Sequence, residues 1–273
     1  MKHTLATISL FFLMALIGCE KRNGIDDTPK VGNGFSVSTT SQVVFAKGNL
    51  QYQANTKTYR FADSQYAVCG QNNAFIAADN AEWIDLFGWG TGKNPIDTTG
   101  NSDAYTKFND WGNFIGADKE WRTLSYDEWN YLISKRTDAM DKVGAATVDT
   151  VCGFILLPDG LSSDSLTHVY ANETTTHNIS FTPNAPKWNV NVYDVAEWHI
   201  LDSLGVAFLP ITGYRVKSNV YFSNDTDNYG YYWTSTPNND YFGWYVLLNT
   251  NGTVLFDYRN RSYGHAVRLV KYL

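Results

Sequence analysis

The chain has 273 residues and a formal net charge of −6, and its Lys and Arg residues form no basic stripe. Nucleic acid is therefore excluded as an expected partner, because the neutralisation of phosphates requires clustered Lys and Arg. The content of 9 Trp, 18 Tyr and 15 Phe favours aromatic residues on short strands and loops, which excludes a helical bundle.

The N-terminal segment has the features of a secretory signal. A basic residue precedes an apolar run over residues 5–17, which is too short to span a bilayer. Leu16 lies three positions before Cys19, and a small residue precedes Cys19, in a pattern that resembles the lipobox of bacterial lipoproteins. The resemblance implies a signal peptide over residues 1–18 and a membrane anchor of acyl groups on Cys19. A plain signal peptide with an incidental cysteine is the alternative.

Residues 19–34 are polar and rich in glycine, which predicts a flexible tether. The folded unit is expected over residues 35–273 as one domain, because no internal repeat or second linker divides it. Within it, Cys69 and Cys152 could form a disulfide in an oxidising compartment or remain two buried free thiols. No Cys or His lies at ligand spacing from either cysteine, which argues against zinc. The loop carboxylates Asp97, Asp103, Asp110 and Asp118 could bind Ca²⁺, but they form no calcium loop pattern, so the sequence predicts no metal site and no cofactor.

Two helices are predicted from capping boxes at their N-termini. Ser125 with Glu128 begins the first helix, and Asp194 with Glu197 begins the second. A strand is predicted directly after the second helix, over residues 206–209. Together with alternating apolar residues near the start of the domain, these elements predict a loop-rich α+β fold with two main helices and short antiparallel strands.

The C-terminal segment 229–270 is predicted to contain a β-hairpin with a turn at Gly252. A three-residue loop pairs the apolar positions of the two strands, whereas a two-residue turn would place Val246 beside Asp257. Side-chain burial favours the three-residue loop. The expected inward residues are Trp244, Val246, Leu248, Val254, Phe256 and Tyr258, and the expected outward residues are Tyr245, Leu247, Asn249, Thr253, Leu255 and Asp257.

The composition between Asn238 and Tyr263 is typical of binding loops, with five Asn, four Tyr, two Phe, one Trp and two Asp. The alternative is an aromatic hairpin that only buries its own core. Tyr258 is included among the predicted ligand-binding residues although the preferred register places it on the inward face. Its exposure therefore requires the strand to twist or end there. The predicted ligand-binding residues are Asn239, Asp240, Tyr241, Phe242, Tyr245, Asn249, Asp257, Tyr258, Asn260, Ser262, Tyr263 and His265.

Several segments resemble, in chain order, the landmarks of the formylglycine-generating-enzyme-like branch of the C-type lectin fold. The chain from Phe35 onward is similar to bacterial surface lipoproteins of the major-paralogous-domain kind. Some members of that group are targets of diversity-generating retroelements, which enrich Asn and Tyr in a C-terminal cassette like the segment between Trp233 and Arg268. The matching segments are GNLQY at 48–52, WIDLFGWG at 83–90, WRTLSYDEWNY at 121–131, FLPITGYR at 208–215, YWTST at 232–236 and GHAVRLV at 264–270.

The resemblance implies a C-type-lectin-like domain that binds a protein or glycan, as an adhesin or receptor-like protein anchored to the bacterial outer membrane and exposed at the surface. Arg122 and Arg268 match frame positions of the family, so we expect them to be hydrogen-bonded struts. Formylglycine-generating enzymes use a cysteine pair near the C-terminal core, and this chain has no cysteine after Cys152. We therefore predict no catalytic residue. The alternatives are an oxidising enzyme of that type and a structural envelope or fimbria-associated subunit.

Overall fold

The computed structural model describes residues 34–99, 107–166, 169–171, 176–222, 229–249 and 252–273. They form an α+β fold with few helices and several small, mainly antiparallel sheets, as predicted. The strands are β1 (Phe35–Ser36), β2 (Gln42–Phe45), β3 (Leu50–Gln53), β4 (Thr58–Phe61), β5 (Trp83–Ile84), β6 (Arg122–Thr123), β7 (Val143–Val148), β8 (Val151–Leu156), β9 (Val169–Ala171), β10 (Thr176–Asn178), β11 (Asn191–Tyr193), β12 (Ala207–Pro210), β13 (Tyr214–Val216), β14 (Asn219–Tyr221), β15 (Gly230–Pro237), β16 (Phe242–Leu248), β17 (Val254–Asn260) and β18 (Leu269–Tyr272). The helices are α1 (Tyr126–Asn130), α2 (Ser163–Leu166) and α3 (Val195–Ser203), with a π-helix over Tyr131–Lys135 and 3-10 helices over Gly70–Ala74, Trp111–Phe114 and Ala139–Lys142.

Both predicted capping boxes are confirmed. At α1 the Ser125 hydroxyl accepts a hydrogen bond from the Glu128 backbone N–H at 3.2 Å, and the Glu128 carboxylate accepts one from the Ser125 N–H at 2.8 Å. At α3 the Asp194 carboxylate accepts from the Glu197 N–H at 2.8 Å, with the reciprocal bond at 3.0 Å. Each pair satisfies two N–H groups that a helix start would otherwise leave without partners.

The sheets bring distant parts of the chain together. One has the order β1-β2-β18-β6, so the first and last described strands share a sheet. Another has the order β11-β7-β8-β12, in which β11 runs parallel to β7 and the other pairs are antiparallel. The strand predicted over residues 206–209 is β12. The C-terminal residues form a third sheet, with the order β15-β16-β17.

The described residues form three hydrophobic cores. The first contains Trp129 of α1 and Val246 of β16, and the second contains Trp111 and Trp233. The third lies around Trp198 of α3. Because Val246 and Trp233 come from adjacent strands of one sheet but belong to different cores, that sheet separates the first core from the second.

Asp159 fastens the first described residues to the rest of the fold. Its carboxylate accepts hydrogen bonds from the Ser36 N–H at 2.8 Å, the Ser36 hydroxyl at 2.6 Å and the Gln42 amide at 2.9 Å. Arg136 forms a salt bridge with the Asp159 carboxylate at 3.0 Å. The Asp159 backbone N–H donates to the Gly34 carbonyl at 2.9 Å. Burial alone would raise the pKa of Asp159, but these hydrogen bonds and the Arg136 charge outweigh it and lower the pKa. We call this arrangement the Asp159 clamp.

Arg268 is a strut, as predicted. Its buried guanidinium donates to the carbonyl oxygens of Ala46 at 3.0 Å, Gln65 at 3.3 Å and Phe208 at 2.6 Å. Burial lowers its pKa to about 10. Arg122 is only half-buried. Its guanidinium forms a bidentate ion pair with Glu128, the capping residue of α1, at 2.6 and 2.8 Å.

The disulfide considered from the sequence does not form, because Cys69 and Cys152 are both free and lie in different environments. The Gln51 amide donates to the Cys69 sulfur at 3.3 Å, and the Asp85 carboxylate accepts from the Cys69 backbone N–H at 2.9 Å. Burial and the charge of Asp85 raise the pKa of the Cys69 thiol. Cys152 lies on β8, 3.8 Å from the Thr147 hydroxyl.

The predicted signal peptide over residues 1–18, Cys19 and the tether up to residue 33 lie outside the described residues. Among the helices that the structure describes, none is both long enough and apolar enough to cross a membrane.

Candidate functional site

The sheet β15-β16-β17 carries most of the predicted ligand-binding residues. β16 is its middle strand and pairs with both neighbours in antiparallel register, with Val246 opposite Phe256. Gly252 has a φ of +81°, and a β-carbon added there would lie 2.4 Å from the Ala185 carbonyl oxygen. Glycine is therefore required both for the turn conformation and for the close approach. The predicted register and turn glycine are confirmed.

Tyr245 was expected to face solvent in the ligand-binding patch, but its side chain is only 1% exposed, so this prediction is wrong. Its ring packs against Tyr231 and Trp233 in the second core, with centroid separations of 5.5 and 6.2 Å. The cause is the central position of β16, which has a core against each face. Alternation along this strand therefore moves a side chain from one core to the other.

Five rings form a continuous row on the other face of the sheet, from β16 and β17 to the first turn of α1. In order they are Phe242, Tyr258, Trp244, Tyr126 and Phe256, with successive centroid separations of 5.7, 5.4, 4.9 and 5.0 Å. We call this row the aromatic ladder. Tyr258 lies on the face that was predicted to be inward. It is nevertheless 48% exposed, because β17 is an edge strand.

The turn over residues 238–241, which joins β15 to β16, is fixed by side chains. We call it the tip. The Asn239 side-chain oxygen accepts from the backbone N–H groups of Tyr241 at 2.9 Å and Phe242 at 3.1 Å. The buried guanidinium of Arg261 donates to the Asn239 carbonyl and lies 4.2 Å over the Trp89 ring. The Tyr241 side chain, 62% exposed, therefore projects from a held backbone.

The opposite face of β17 presents Arg259. Its guanidinium carbon lies 4.9 Å from the ring centroid of Tyr214, 5.1 Å from Tyr231, 5.7 Å from Tyr245 and 5.3 Å from Tyr263. We call these four rings the tyrosine cage. Such distances allow cation–π attraction. Within the described part of the chain, Arg259 has no salt bridge to a carboxylate.

His265 was predicted to contact ligand, but it is fully buried beneath the cage, so this prediction is wrong as well. Its ring stacks on Tyr231 with centroids 5.0 Å apart and planes 10° from parallel. Neither ring nitrogen forms a hydrogen bond of good geometry with a described residue. Burial lowers the pKa of His265 well below its usual value, the charges of Arg259 and Arg215 lower it further, and the Gly264 backbone opposes the shift only in part.

The other predicted residues divide between turns and the two faces. The Asn260 side-chain oxygen accepts from the Ser262 N–H at 3.0 Å and hydroxyl at 2.8 Å, so it stabilises its own turn. Exposed Asp257 accepts from the Tyr245 hydroxyl at 3.0 Å. The structure places Tyr241, Phe242 and Tyr258 at the tip and ladder, Asp257 and Tyr263 at the cage, and Asn239, Asp240, Asn249, Asn260 and Ser262 in or beside turns.

Six residues of these surfaces were not among the predicted ligand-binding set. Tyr126, Trp244 and Phe256 belong to the ladder, Tyr214 and Tyr231 belong to the cage, and Arg259 lies among the rings of the cage. Arg259 could have been found from the sequence, because it lies two positions after Asp257 and so shares its strand face. Tyr126 could not, since nothing local to α1 indicates that its ring meets a hairpin far along the chain.

The contacts that this site can make follow from its side chains. Burial raises the pKa of Tyr231 and Tyr245, so their hydroxyls remain protonated. The described residues contain no group of three His, Cys, Asp or Glu side chains that could hold a metal ion. The site offers rings, hydroxyls, one half-buried cation and one exposed carboxylate.

Residues 170–270 match the model of a protein family described as a domain of unknown function, DUF8237. The matched span includes the whole of β15, β16 and β17. No curated protein matches the chain, and no solved structure does.

Proposed function

We propose that the chain is a lipid-anchored, non-catalytic binding protein of the bacterial surface, with a C-type-lectin-like fold of the formylglycine-generating-enzyme-like branch. The α+β architecture with few helices and small sheets is consistent with that fold. The ligand is a macromolecule, and its docking site is the aromatic ladder together with Tyr241. We call these six residues the display surface.

The observation that carries the proposal is the partial exposure of connected rings. Tyr258 and Tyr241 are exposed, while Phe242, Trp244 and Tyr126 are half-buried beside them. Tyr and Trp rings supply large contact areas at low entropic cost and dominate the hot spots of interfaces. Soluble domains seldom expose several large apolar groups together without a partner.

A fixed backbone favours binding further. The hydrogen bonds from Arg261 and to Asn239 hold the tip, and β17 is held to β16 by a continuous register from Phe242 to Leu248. A surface that is ordered before it binds loses less conformational entropy on association. The same arrangement allows exposed side chains to vary between related proteins while the frame is kept, as a diversity-generating cassette would require.

The test is a combined protein and glycan array probed with the full-length chain in detergent. The variant Tyr241→Ala with Tyr258→Ala should weaken binding to any ligand found by at least about tenfold, because hot-spot rings contribute this much or more. The matched control is Phe75→Ala with Phe114→Ala, which removes two exposed rings outside the display surface. Equal affinities of both double variants would exclude the display surface as the docking site.

A further inference from the structure

Arg259 is a half-buried cation whose guanidinium lies among four tyrosine rings. It lies over the tyrosine cage and has no salt bridge to a carboxylate in the described residues, unlike Arg122, Arg136 and Arg60. Beneath it lies His265, a buried side chain without a well-formed hydrogen bond at either ring nitrogen. A cation in such surroundings is stabilised by an anion that reaches it from solvent.

Two cations act on the region of His265 beneath the cage. The charges of Arg259 and of buried Arg215 both lower the pKa of His265, so both act on the same small volume. A guanidinium is planar and can donate two parallel N–H hydrogen bonds from one edge. This geometry fits a planar carboxylate.

Asp257 limits the charge of the ligand. It lies two residues before Arg259 on the same face of β17, and its exposed carboxylate accepts a hydrogen bond from the Tyr245 hydroxyl. A carboxylate at this position repels polyanions such as phosphate chains or runs of acidic residues. It also accepts hydrogen bonds from hydroxyl groups, which points to a ligand that combines one negative charge with many hydroxyls.

A flat apolar platform adjoins the cage. Tyr221 stacks on Tyr214 with centroids 4.8 Å apart and planes 13° from parallel, and Tyr221 is 51% exposed. Its ring suits the C–H face of a pyranose sugar, which packs on aromatic rings as other apolar surfaces do.

We propose that Arg259 and the tyrosine cage bind the carboxylate of a uronate residue in an acidic glycan, with Asp257 accepting from sugar hydroxyls and Tyr221 packing against the ring. This site lies on the face of the sheet opposite the aromatic ladder. It does not depend on the display surface being a docking site.

The test is calorimetric titration of the full-length chain in detergent with tetramers of galacturonate and of glucuronate. The wild-type chain should bind at least one of them, and the methyl ester of that tetramer should bind at least tenfold more weakly. Arg259→Gln should produce a similar loss. The matched control Arg60→Gln removes a guanidinium that also lies over a ring, 4.0 Å from Trp83, but pairs with Asp63, and it should change affinity less than twofold.

Three outcomes would overturn the proposal: no binding of either uronate tetramer by the wild-type chain, equal binding of acid and ester, or unchanged binding by Arg259→Gln. Tetraglutamate forms a further arm, and affinity for it equal to that for the uronate would reject a sugar ligand in favour of an acidic peptide. The comparison of acid with ester uses the wild-type chain alone, so it stays decisive if a variant folds poorly. The Tyr241→Ala and Tyr258→Ala variant should bind the uronate normally, which separates this site from the display surface.

Discussion

β16 and β17 are adjacent strands of seven residues each, and their side chains have very different environments. In β16, Val246 and Leu248 lie in the first core and Tyr245 lies in the second. In β17, Leu255 and Tyr258 are 47% and 48% exposed on opposite faces. Alternating apolar residues therefore do not by themselves specify one buried face and one open face. The position of a strand within its sheet determines how much of each face is covered.

The largest expected effect follows directly from this contrast. Leu248→Ala should lower the free energy of unfolding by about 2 to 5 kcal/mol, because it leaves a cavity in the first core. Leu255→Ala makes the same chemical change on the edge strand and should cost less than about 1 kcal/mol. Urea denaturation of both variants measures the two values. Similar losses would show that β17 is as fully covered as β16.

A second expected effect concerns acid and the residue buried under the cage. The pKa of His265 is lowered below its ordinary value of 6.5, so above that pH the ring is neutral in both folded and unfolded chains. As the pH falls below 6.5, His265 becomes protonated in the unfolded chain but stays neutral in the folded chain. The free energy of unfolding therefore falls until the pH reaches the lowered pKa. Melting temperatures between pH 7.5 and 5 should therefore decline.

His265→Gln should make that decline shallower, whatever its effect on stability at pH 7.5. The control is His199→Gln, which changes an exposed histidine on α3 and should leave the slope as in the wild type. Identical slopes for the wild-type chain and the His265→Gln variant would mean that His265 does not resist protonation in the folded state.

The smallest effects separate two neighbouring residues of the tip. Asn239→Ala removes an acceptor for two backbone N–H groups and should cost about 0.5 to 1.5 kcal/mol. Tyr241→Ser removes an exposed ring and should change stability by no more than about 0.5 kcal/mol. Thermal melts can resolve this difference, and a larger cost at Tyr241 would show that its ring supports the frame.

The parts of the fold that depend on local chemistry could be predicted from the sequence. The caps at Ser125 and Asp194 each need only a partner three residues away, and the hairpin register needed only a glycine at position 252 and the burial of paired apolar residues. Of the candidate site, the exposure of Tyr241 and Asp257 also follows from their place in a turn or on an edge.

Features that arise from contacts between distant segments could not be predicted. The burial of Tyr245 and His265 requires that the second core lies against β16, and the pairing of β7 with β11 joins segments that are separated by β8, α2, β9 and β10. The separation of Cys69 from Cys152 likewise depends on which sheet each segment joins. Single-sequence patterns contain no information about such packing.

The Asp159 clamp has a mechanical consequence. If the tether is held at a membrane while a ligand pulls on the tip, the load enters at Gly34 and first meets β1, a strand of two residues that pairs with β2 at the edge of its described sheet. Such a strand would peel away one hydrogen bond at a time. The clamp adds bonds from Ser36, Gln42 and Arg136 to the same carboxylate, so these bonds share the load and must break nearly together. The fold is thereby reinforced against tension at the end where an anchored protein would be pulled.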